Sequence, residues 1–256
     1  MKGFTRVVGA VNPEYREMTS KYGVADGLAA LALSVVAILI VAIAAHINGS
    51  ILSSIALAAI PFLVLRYTNA EIESLGLTRK NLGKSLIVGL CLGIFLFLFL
   101  PTFRSWPPNL PHQTITVLSR HLSARMPYLT LPMVLSTIFF NAVLTAFKEE
   151  IFFRGYIQTR FHGVVKSSFL AIFLGGVIFA LVHMPFRVYF LVYVRYDVSF
   201  VAAVGFYMRH YFWWITYLVW IAYHFLFNYL YRKYNSIIAP LVIHFFIDLR
   251  GVLGHL

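Results

Sequence analysis

Six ionisable residues lie within or beside apolar stretches of this chain, where a charged side chain requires an explanation. They are Glu149, Glu150, Arg154, His183, His244 and Asp248. An ionised carboxylate at the centre of a bilayer costs about 2.5–3.5 kcal/mol, so such residues usually face a partner or a cavity and indicate function. A carboxylate and an imidazole held at one depth can activate water for hydrolysis, because the carboxylate removes a proton while the histidine orients the water.

Spacing along the helices predicts which of these side chains share a face. Glu150 and Arg154 are four residues apart, acid before base, which favours an ion pair on one helix face. Glu149 points about 100° away from that face and needs a partner from another helix. His244 and Asp248, in "HFFID", also share a face. They form either a local pair that orients the imidazole or a second wall of the same polar site, and spacing alone leaves both alternatives open.

The short turn "FHGVVKS" indicates a partner for Glu149. In an antiparallel helix pair, residues equally far from the centre of the turn, near residue 165, lie at the same depth. Glu149 lies 16 residues before this centre and His183 lies 18 after it, a mismatch of about 3 Å at about 1.5 Å per residue. Gly175 and Gly176 would also let the two helix backbones approach closely. We therefore expect Glu149 and His183 to meet.

Composition indicates the elements that must position these residues. Of the 256 residues, 60% are hydrophobic and 12% are charged, whereas soluble domains are about a quarter charged. Several apolar runs reach or approach the roughly 20 residues of a membrane-crossing helix. They lie at 25–46, 51–68, 84–103, 129–158, 167–186, 188–206, 211–231 and 236–253. The chain is predicted to be all-α, a polytopic transmembrane helical bundle of about eight spans, forming a single integral membrane domain over 1–256. Arg195 and Asp197 interrupt the sixth span, which favours a lumen-facing or partly re-entrant helix there.

The net charge of +12 does not indicate nucleic-acid binding, because the basic residues sit at the ends of apolar runs, as charge-directed membrane topology requires. The N-terminal tail and the loop 79–84 are basic, whereas the loop 46–50 has no Lys or Arg. This bias predicts an integral membrane protein with a cytoplasmic N-terminus, in the plasma membrane if the source is prokaryotic. Arg232 and Lys233 conflict with that topology if the sixth segment spans.

The sequence also limits other catalytic chemistries. Cys91 is the only cysteine, so an intrachain disulfide is excluded. No Ser–His–Asp or Cys–His set is credible, because Cys91 has no partner at a matching depth. Glu149, His183 and His244 would make a chemically reasonable zinc site, but no HExxH helix is present. His224 and Asn228 form another i, i+4 pair at a depth similar to His244 and are predicted to support the structure.

Three motifs resemble those of one family. "EEIFFRG", "FALVH" (Phe179 to His183) and "HFFID" occur in the order and approximate spacing of the CPBP family. This family comprises CAAX-protease and bacteriocin-processing intramembrane endopeptidases related to the type II CAAX prenyl endopeptidase. The resemblance covers about residues 128–250, which we assign as the CAAX-protease-like catalytic core.

The resemblance implies an eight-helix intramembrane glutamic protease whose site opens to the cytosolic side. It implies that Glu149 is the general base and that His183 is its partner on the water. Glu150 and Arg154 would support these two residues. It favours a cofactor-free water mechanism, with the zinc version as the alternative.

The oxyanion site implied by the resemblance would consist of His244 and Asp248. The prenyl endopeptidases carry Asn at the position of Asp248, although the broader family accepts either residue. Asn can donate a hydrogen bond to an oxyanion, but an ionised Asp cannot. Either Asp248 is protonated or it only orients His244, and we favour the second interpretation.

The expected function is hydrolysis of a peptide bond in a hydrophobic or lipidated, CAAX-type membrane-associated protein or peptide. The expected partners are such a substrate and the lipid bilayer. One alternative is a non-catalytic membrane scaffold or immunity protein of the same fold. Another is a proton-coupled transporter, since buried Glu and His also form proton relays, although the chain has no internal repeat of the kind that many transporters have.

Overall fold

The computed structural model describes residues 11–46, 50–99, 131–185, 188, 200–209 and 211–253, and within these ranges all regular secondary structure is helical. The all-α prediction is therefore confirmed for the described part of the chain. The helices are α1 (Pro13–Ser20), α2 (Val24–His46), α3 (Ser50–Thr68), α4 (Leu82–Phe99), α5 (residues 131–161), α6 (Ser168–Val182), α7 (Phe200–Arg209), α8 (Tyr211–Tyr234) and α9 (Ile238–Leu253).

The helix bounds agree with most of the predicted spans to within a few residues. The exception is the sixth span. Between residues 186 and 210, the structure describes only Val188 and helix α7. The ten residues of α7 rise about 15 Å, half the thickness of a bilayer's hydrocarbon core. Arg195 and Asp197, which interrupt the predicted span, lie outside the described residues.

Helix α5 changes its hydrogen-bonding pattern along its length. It is α-helical over Leu131–Ile138, π-helical over Phe139–Val143, α-helical over Leu144–Glu149, π-helical over Glu150–Gln158 and α-helical over Thr159–Phe161. The predicted span at 129–158 is therefore helical from residue 131 onward, but two of its segments are π-helical. π-Helical turns are rare and occur frequently at functional sites, and the second segment begins directly after Glu149.

Helix α5 is also the centre of the molecule. Every residue from Glu149 to Phe161 is buried, and Ile151, Phe152 and Phe153 belong to the main hydrophobic core. The polar residues of this stretch therefore face other helices, and α5 supplies the framework of the site.

At one end of the bundle, backbone hydrogen bonds join the start of α1, the segment before α4 and the turn after α8. The Asn12 N–H donates to the Arg232 carbonyl at 2.9 Å, and the Ile237 N–H donates to the Gly76 carbonyl at 3.1 Å. Gly76 has a φ of 77°, and a Cβ at this position would collide with the Tyr231 ring. Both the backbone conformation and the available space therefore require glycine.

Helices α6 and α8 pack antiparallel, which settles where the end of α8 lies. The rings of Phe169 and Phe225 are 5.5 Å apart near one end, and those of His183 and Trp220 are 4.5 Å apart near the other. The turn that follows Arg232 therefore lies at the same end as the 160–166 turn. Arg232 and Lys233 thus lie at the same end of the bundle as Arg160 and Lys166.

Helix α9 is held against α4 by two glycines. A Cβ at Gly89 would lie 3.0 Å from Val242 Cβ, and one at Gly93 would lie 2.5 Å from a carbon of the Phe246 ring. Small residues four apart allow this close helix packing in membranes. The contact fixes the position of His244 and its neighbours on α9 relative to the rest of the bundle.

Two described helices are long and apolar enough to cross a membrane, by length and composition: Val24–Ala44 and Leu82–Phe99. Leu52–Thr68 and Ser168–Val182 are shorter apolar helices. Large apolar side chains on α2 and α4 point outward. Ile43 is 62% exposed and Ile87 is 63% exposed.

Candidate active site

The structure brings Glu149 and His183 together, as the hairpin spacing predicts. His183 Nε2 lies 3.7 Å from Glu149 Oε2. The Nδ1 atom of His183 is 2.8 Å from the carbonyl oxygen of Phe179. Because a carbonyl only accepts, Nδ1 carries a proton, and in the neutral ring Nε2 presents a lone pair toward Glu149.

His244 joins the same cluster. Its Nε2 atom lies 3.7 Å from Glu149 Oε2 and 3.6 Å from Asp248 Oδ2. Its Nδ1 atom lies 2.7 Å from Glu150 Oε1. Three carboxylates thus surround one imidazole. Asp248 thus lies beside the imidazole, and the imidazole also faces Glu149, so His244 and Asp248 belong to the same polar cluster.

Glu150 and Arg154 form the predicted ion pair. Arg154 Nη1 lies 3.0 Å from Glu150 Oε1, and both side chains are fully buried. Arg154 makes no well-aligned hydrogen bond in the described structure, so the contact is mainly electrostatic. The guanidinium lies between two aromatic rings, 4.3 Å from the centroid of Phe179 and 5.0 Å from that of Phe227. These cation–π contacts hold the arginine in a site from which water is excluded.

Phe179 is the aromatic wall of the cluster. Its ring centroid lies 4.9 Å from that of His183 and 6.5 Å from that of His244, and the side chain is 3% exposed. Sequence reasoning identified Phe179 only as the first residue of "FALVH". The structure shows that the Phe179 ring lies against Arg154, His183 and His244.

Two further contacts were not predicted. Trp220 packs on His183 with the ring planes inclined by 31°, and no signal distinguishes this tryptophan within an aromatic-rich helix. Gln158 Oε1 lies 3.1 Å from His224 Nε2, and the Asn228 side chain donates to the His224 carbonyl at 2.8 Å. His224 and Asn228 are fully buried in a network that supports the structure.

The explanation proposed for Gly175 and Gly176 needs correction. A Cβ at Gly175 would collide with Gln158 Oε1 and lie 2.8 Å from His224 Nε2, and one at Gly176 would lie 3.3 Å from Ile221 Cγ2. The glycines make room for side chains, including a buried hydrogen bond, rather than for a close approach of two backbones.

The cluster combines buried side chains with partly exposed ones. Glu149 and His244 are each 7% exposed, whereas the side chains of His183 and Asp248 are 27% and 23% exposed. Glu149 Oε2 is buried and makes no hydrogen bond within the described structure, although two imidazole Nε2 atoms lie 3.7 Å from it. A small molecule held between these three atoms would contact a carboxylate and an imidazole together.

The zinc alternative would use these same three side chains. Among the described residues, no group of three or more His, Cys, Asp or Glu side chains meets the geometry of a metal site. The alternative stays a prediction, since the chemistry of the donors is compatible with zinc.

Residues 131–250, slightly less than half of the chain, match a family model described as type II CAAX prenyl endopeptidase Rce1-like, in agreement with the family that the three motifs resemble. The match begins at the start of α5 and ends two residues after Asp248, so it contains the whole cluster. No curated protein and no solved structure gives a significant match to the chain.

Proposed function

We propose that the protein is an intramembrane endopeptidase in which Glu149 activates a water molecule to hydrolyse a peptide bond. The observation that carries the proposal is the position of Glu149 Oε2, which is buried, free of direct hydrogen bonds in the described structure and 3.7 Å from the Nε2 atoms of both His183 and His244. A buried carboxylate beside two imidazoles can act as a general base.

The first chemical step uses Glu149 and His183. A water molecule that donates one hydrogen bond to Glu149 Oε2 and another to His183 Nε2, each of about 2.8 Å, fits a 3.7 Å separation of these two atoms. Glu149 takes a proton as the water oxygen attacks the substrate carbonyl carbon. The C–N bond then breaks, and Glu149 returns the proton to the leaving amine, so that it ends the cycle ionised.

His244 is the candidate donor to the oxyanion of the tetrahedral intermediate. Because its Nδ1–H faces Glu150 at 2.7 Å, donation from Nε2 requires the ring to carry both protons. Three carboxylates within 4 Å stabilise that positive charge. Asp248, if ionised, cannot donate, so we assign it the role of orienting His244, and we assign Glu150 and Arg154 the role of holding the imidazole.

The exposed surface supports a polytopic membrane bundle. Outward-facing residues of α2 and α4 such as Leu39, Ile43, Ile87 and Leu98 are 56–63% exposed, and contiguous apolar surfaces of this kind mark contact with lipid. The end that carries the 160–166 turn and the end of α8 is basic, as expected for the cytoplasmic side. We infer a cytoplasmic N-terminus and, in a prokaryotic cell, a plasma-membrane location.

The substrate is proposed to be a hydrophobic or lipidated peptide. Phe179 and Trp220 flank His183, so the wall beside the reacting atoms is aromatic and suits an apolar chain. The matched family is described by its action on prenylated CAAX ends, which makes a prenylated C-terminal peptide the first substrate to test.

The test is cleavage of quenched peptides by purified protein in nanodiscs. The cleavage rates of prenylated and unprenylated CAAX peptides are measured with wild type, Glu149→Gln and His183→Ala. The control is Glu71→Gln, which changes an exposed acidic residue. We expect Glu149→Gln to lower the rate by about 10²–10⁴-fold while Glu71→Gln leaves it unchanged. Equal cleavage by wild type and Glu149→Gln would refute the proposed role. Wild-type protein that cleaves nothing but keeps its biological activity would indicate a scaffold, and proton flux in liposomes would indicate a transporter.

A further inference from the structure

A second polar cavity lies at the basic end of the bundle, away from the catalytic cluster. Its volume is about 380 Å³. It lies between α1, the turn after α5, the start of α6 and the end of α8. The lining includes two arginines, a histidine, a tyrosine and two serines: Arg16, Arg232, His162, Tyr15, Ser20 and Ser168. None of the described residues that line it is acidic.

Arg232 is the unusual member of this lining. The residue is more than nine-tenths buried, with 8% of its surface exposed, and its Nε atom has no hydrogen-bond partner in the described structure. The ion pairs formed by the described residues do not include Arg232. Its guanidinium carbon lies 5.9 Å from the centroid of the Tyr15 ring. Buried charges are normally paired, so an arginine in this position is suited to an anion that enters the cavity.

Other groups around the cavity are suited to the same kind of ligand. Tyr15 Oη and His162 Nε2 are buried and without hydrogen-bond partners in the described structure. Burial and, second, the positive charge of Arg232 lower the pKa of His162 to about 4, so at neutral pH the ring is uncharged and can donate or accept a hydrogen bond. Ser168 begins the 15-residue helix α6, whose N-terminal dipole favours an anion.

The surroundings indicate the source of the anion. Directly after Ser168, the side chains of Phe169 and Leu170 are 55% and 44% exposed, and on α8 Tyr229 is 38% exposed. A molecule with its charge in the cavity would therefore have apolar helix surface beside it for hydrocarbon chains. Basic pockets between helix ends on the cytoplasmic side suit anionic lipid headgroups.

We propose that this cavity binds the phosphate group of an anionic phospholipid, with Arg16 and Arg232 as the charged contacts and the acyl chains along α6 and α8. This inference rests on the membrane placement given under the proposed function but not on the proposed chemistry. The chemical requirement is a phosphate ester, and free phosphate is the other source to be distinguished from lipid.

The test measures lipid binding to the full-length protein. Thermal unfolding in detergent is recorded with added phosphatidylglycerol, with phosphatidylcholine and with inorganic phosphate. The variants are Arg232→Gln, Arg16→Gln and the control Lys233→Gln, which removes the exposed charge next to Arg232. We expect phosphatidylglycerol to stabilise wild type and Lys233→Gln more than phosphatidylcholine does, and each arginine variant to bind it about tenfold or more weakly.

Each outcome bears on the proposal. The same preference for phosphatidylglycerol in all four proteins would overturn it, and stabilisation by inorganic phosphate alone would overturn the lipid assignment. Arg16 is exposed, so Arg16→Gln decides the matter if Arg232→Gln fails to fold. Binding is also measured in the Glu149→Gln variant, where it should be unchanged, so failure of the protease mechanism and failure of the lipid site can be told apart.

Discussion

Glu150 Oε1 lies 2.7 Å from Nδ1 of His244, so a carboxylate on α5 fixes an imidazole on α9. The same oxygen is 3.0 Å from Arg154 Nη1. One buried atom thus links the arginine, which is held between two rings, to the proposed oxyanion donor. The position of His244 therefore depends on a fully buried charge pair.

Removing Arg154 should therefore destabilise the fold as well as the site. Arg154→Leu leaves the Glu150 carboxylate buried beside His244 without its cation, and loss of one partner of a buried pair costs about 3–5 kcal/mol. Thermal unfolding in detergent measures the effect. The double variant Glu150→Gln/Arg154→Leu removes both charges and should unfold at a higher temperature than the single variant. Wild-type stability in the single variant would contradict this account.

Sequence reasoning located the contacts that short-range geometry fixes. A turn of a few residues between α5 and α6 sets the relative depth of Glu149 and His183, and four-residue spacing sets the pairing of Glu150 with Arg154. No short turn joins α5 to α9, so the approach of His244 to both carboxylates could not be derived from spacing.

The placement of α9, the π-helical segment and the contact of Trp220 with His183 depend on helix packing, which the pattern of apolar residues does not predict. The close contact of Gly93 with Phe246 places α9, yet glycine is common in membrane helices and gives no unique signal. The segment Glu150–Gln158 is π-helical, but its pattern of apolar residues does not distinguish a π-helix from an α-helix. Trp220 was unrecognised because any of many aromatic side chains could have contacted His183.

Gly175→Ala should disrupt the buried hydrogen bond between Gln158 and His224. The added methyl group would collide with Gln158 Oε1 and crowd His224 Nε2, so we expect a loss of about 1–3 kcal/mol in the free energy of unfolding. Thermal unfolding in detergent measures it. Gly251→Ala is the control, because a Cβ there meets no atom within 4 Å and alanine favours the helix by about 0.5–1 kcal/mol. Equal behaviour of the two variants would be evidence against the steric explanation.

Stability should fall in acid because of His162. Its pKa is lowered from 6.5 to about 4, first by burial and second by Arg232, and Arg16 and Tyr15 line the same cavity. Between these pH values the unfolded chain binds a proton at this residue and the folded chain does not. The free energy of unfolding therefore decreases by up to about 3 kcal/mol as pH falls from 6.5 to 4, and His162 contributes nothing above that window.

The measurement is thermal unfolding between pH 7.5 and 4 for wild type and His162→Gln in phosphate-free buffer. Glutamine does not titrate, so the variant should lose less stability across the window. Parallel curves for the two proteins would show that other groups account for the acid sensitivity.

Chelation separates the two versions of the hydrolytic mechanism. If Glu149 acts on water without a metal, 1,10-phenanthroline should leave the initial rate of peptide cleavage unchanged. A zinc ion held by Glu149, His183 and His244 would be removed by the chelator, and added zinc would restore activity. A known zinc protease assayed in the same detergent is the control for effective chelation. Loss and zinc-dependent recovery would replace the water mechanism with the metal version.

Substitution of Asp248 tests whether this residue orients His244 or contacts the oxyanion. In Asp248→Asn, the side-chain amide oxygen can still occupy the acceptor position 3.6 Å from His244 Nε2, which is beyond the distance of a direct hydrogen bond. Asp248→Asn should therefore change kcat by no more than about tenfold, which corresponds to roughly 1.4 kcal/mol. Asp248→Leu removes the acceptor and should lower kcat by about 10–100-fold, with little change in KM because the residue orients an imidazole rather than binding the peptide. A kcat for Asp248→Asn far above that of wild type would instead indicate that the amide donates directly to the oxyanion, and equal losses in both variants would show that the negative charge itself is required.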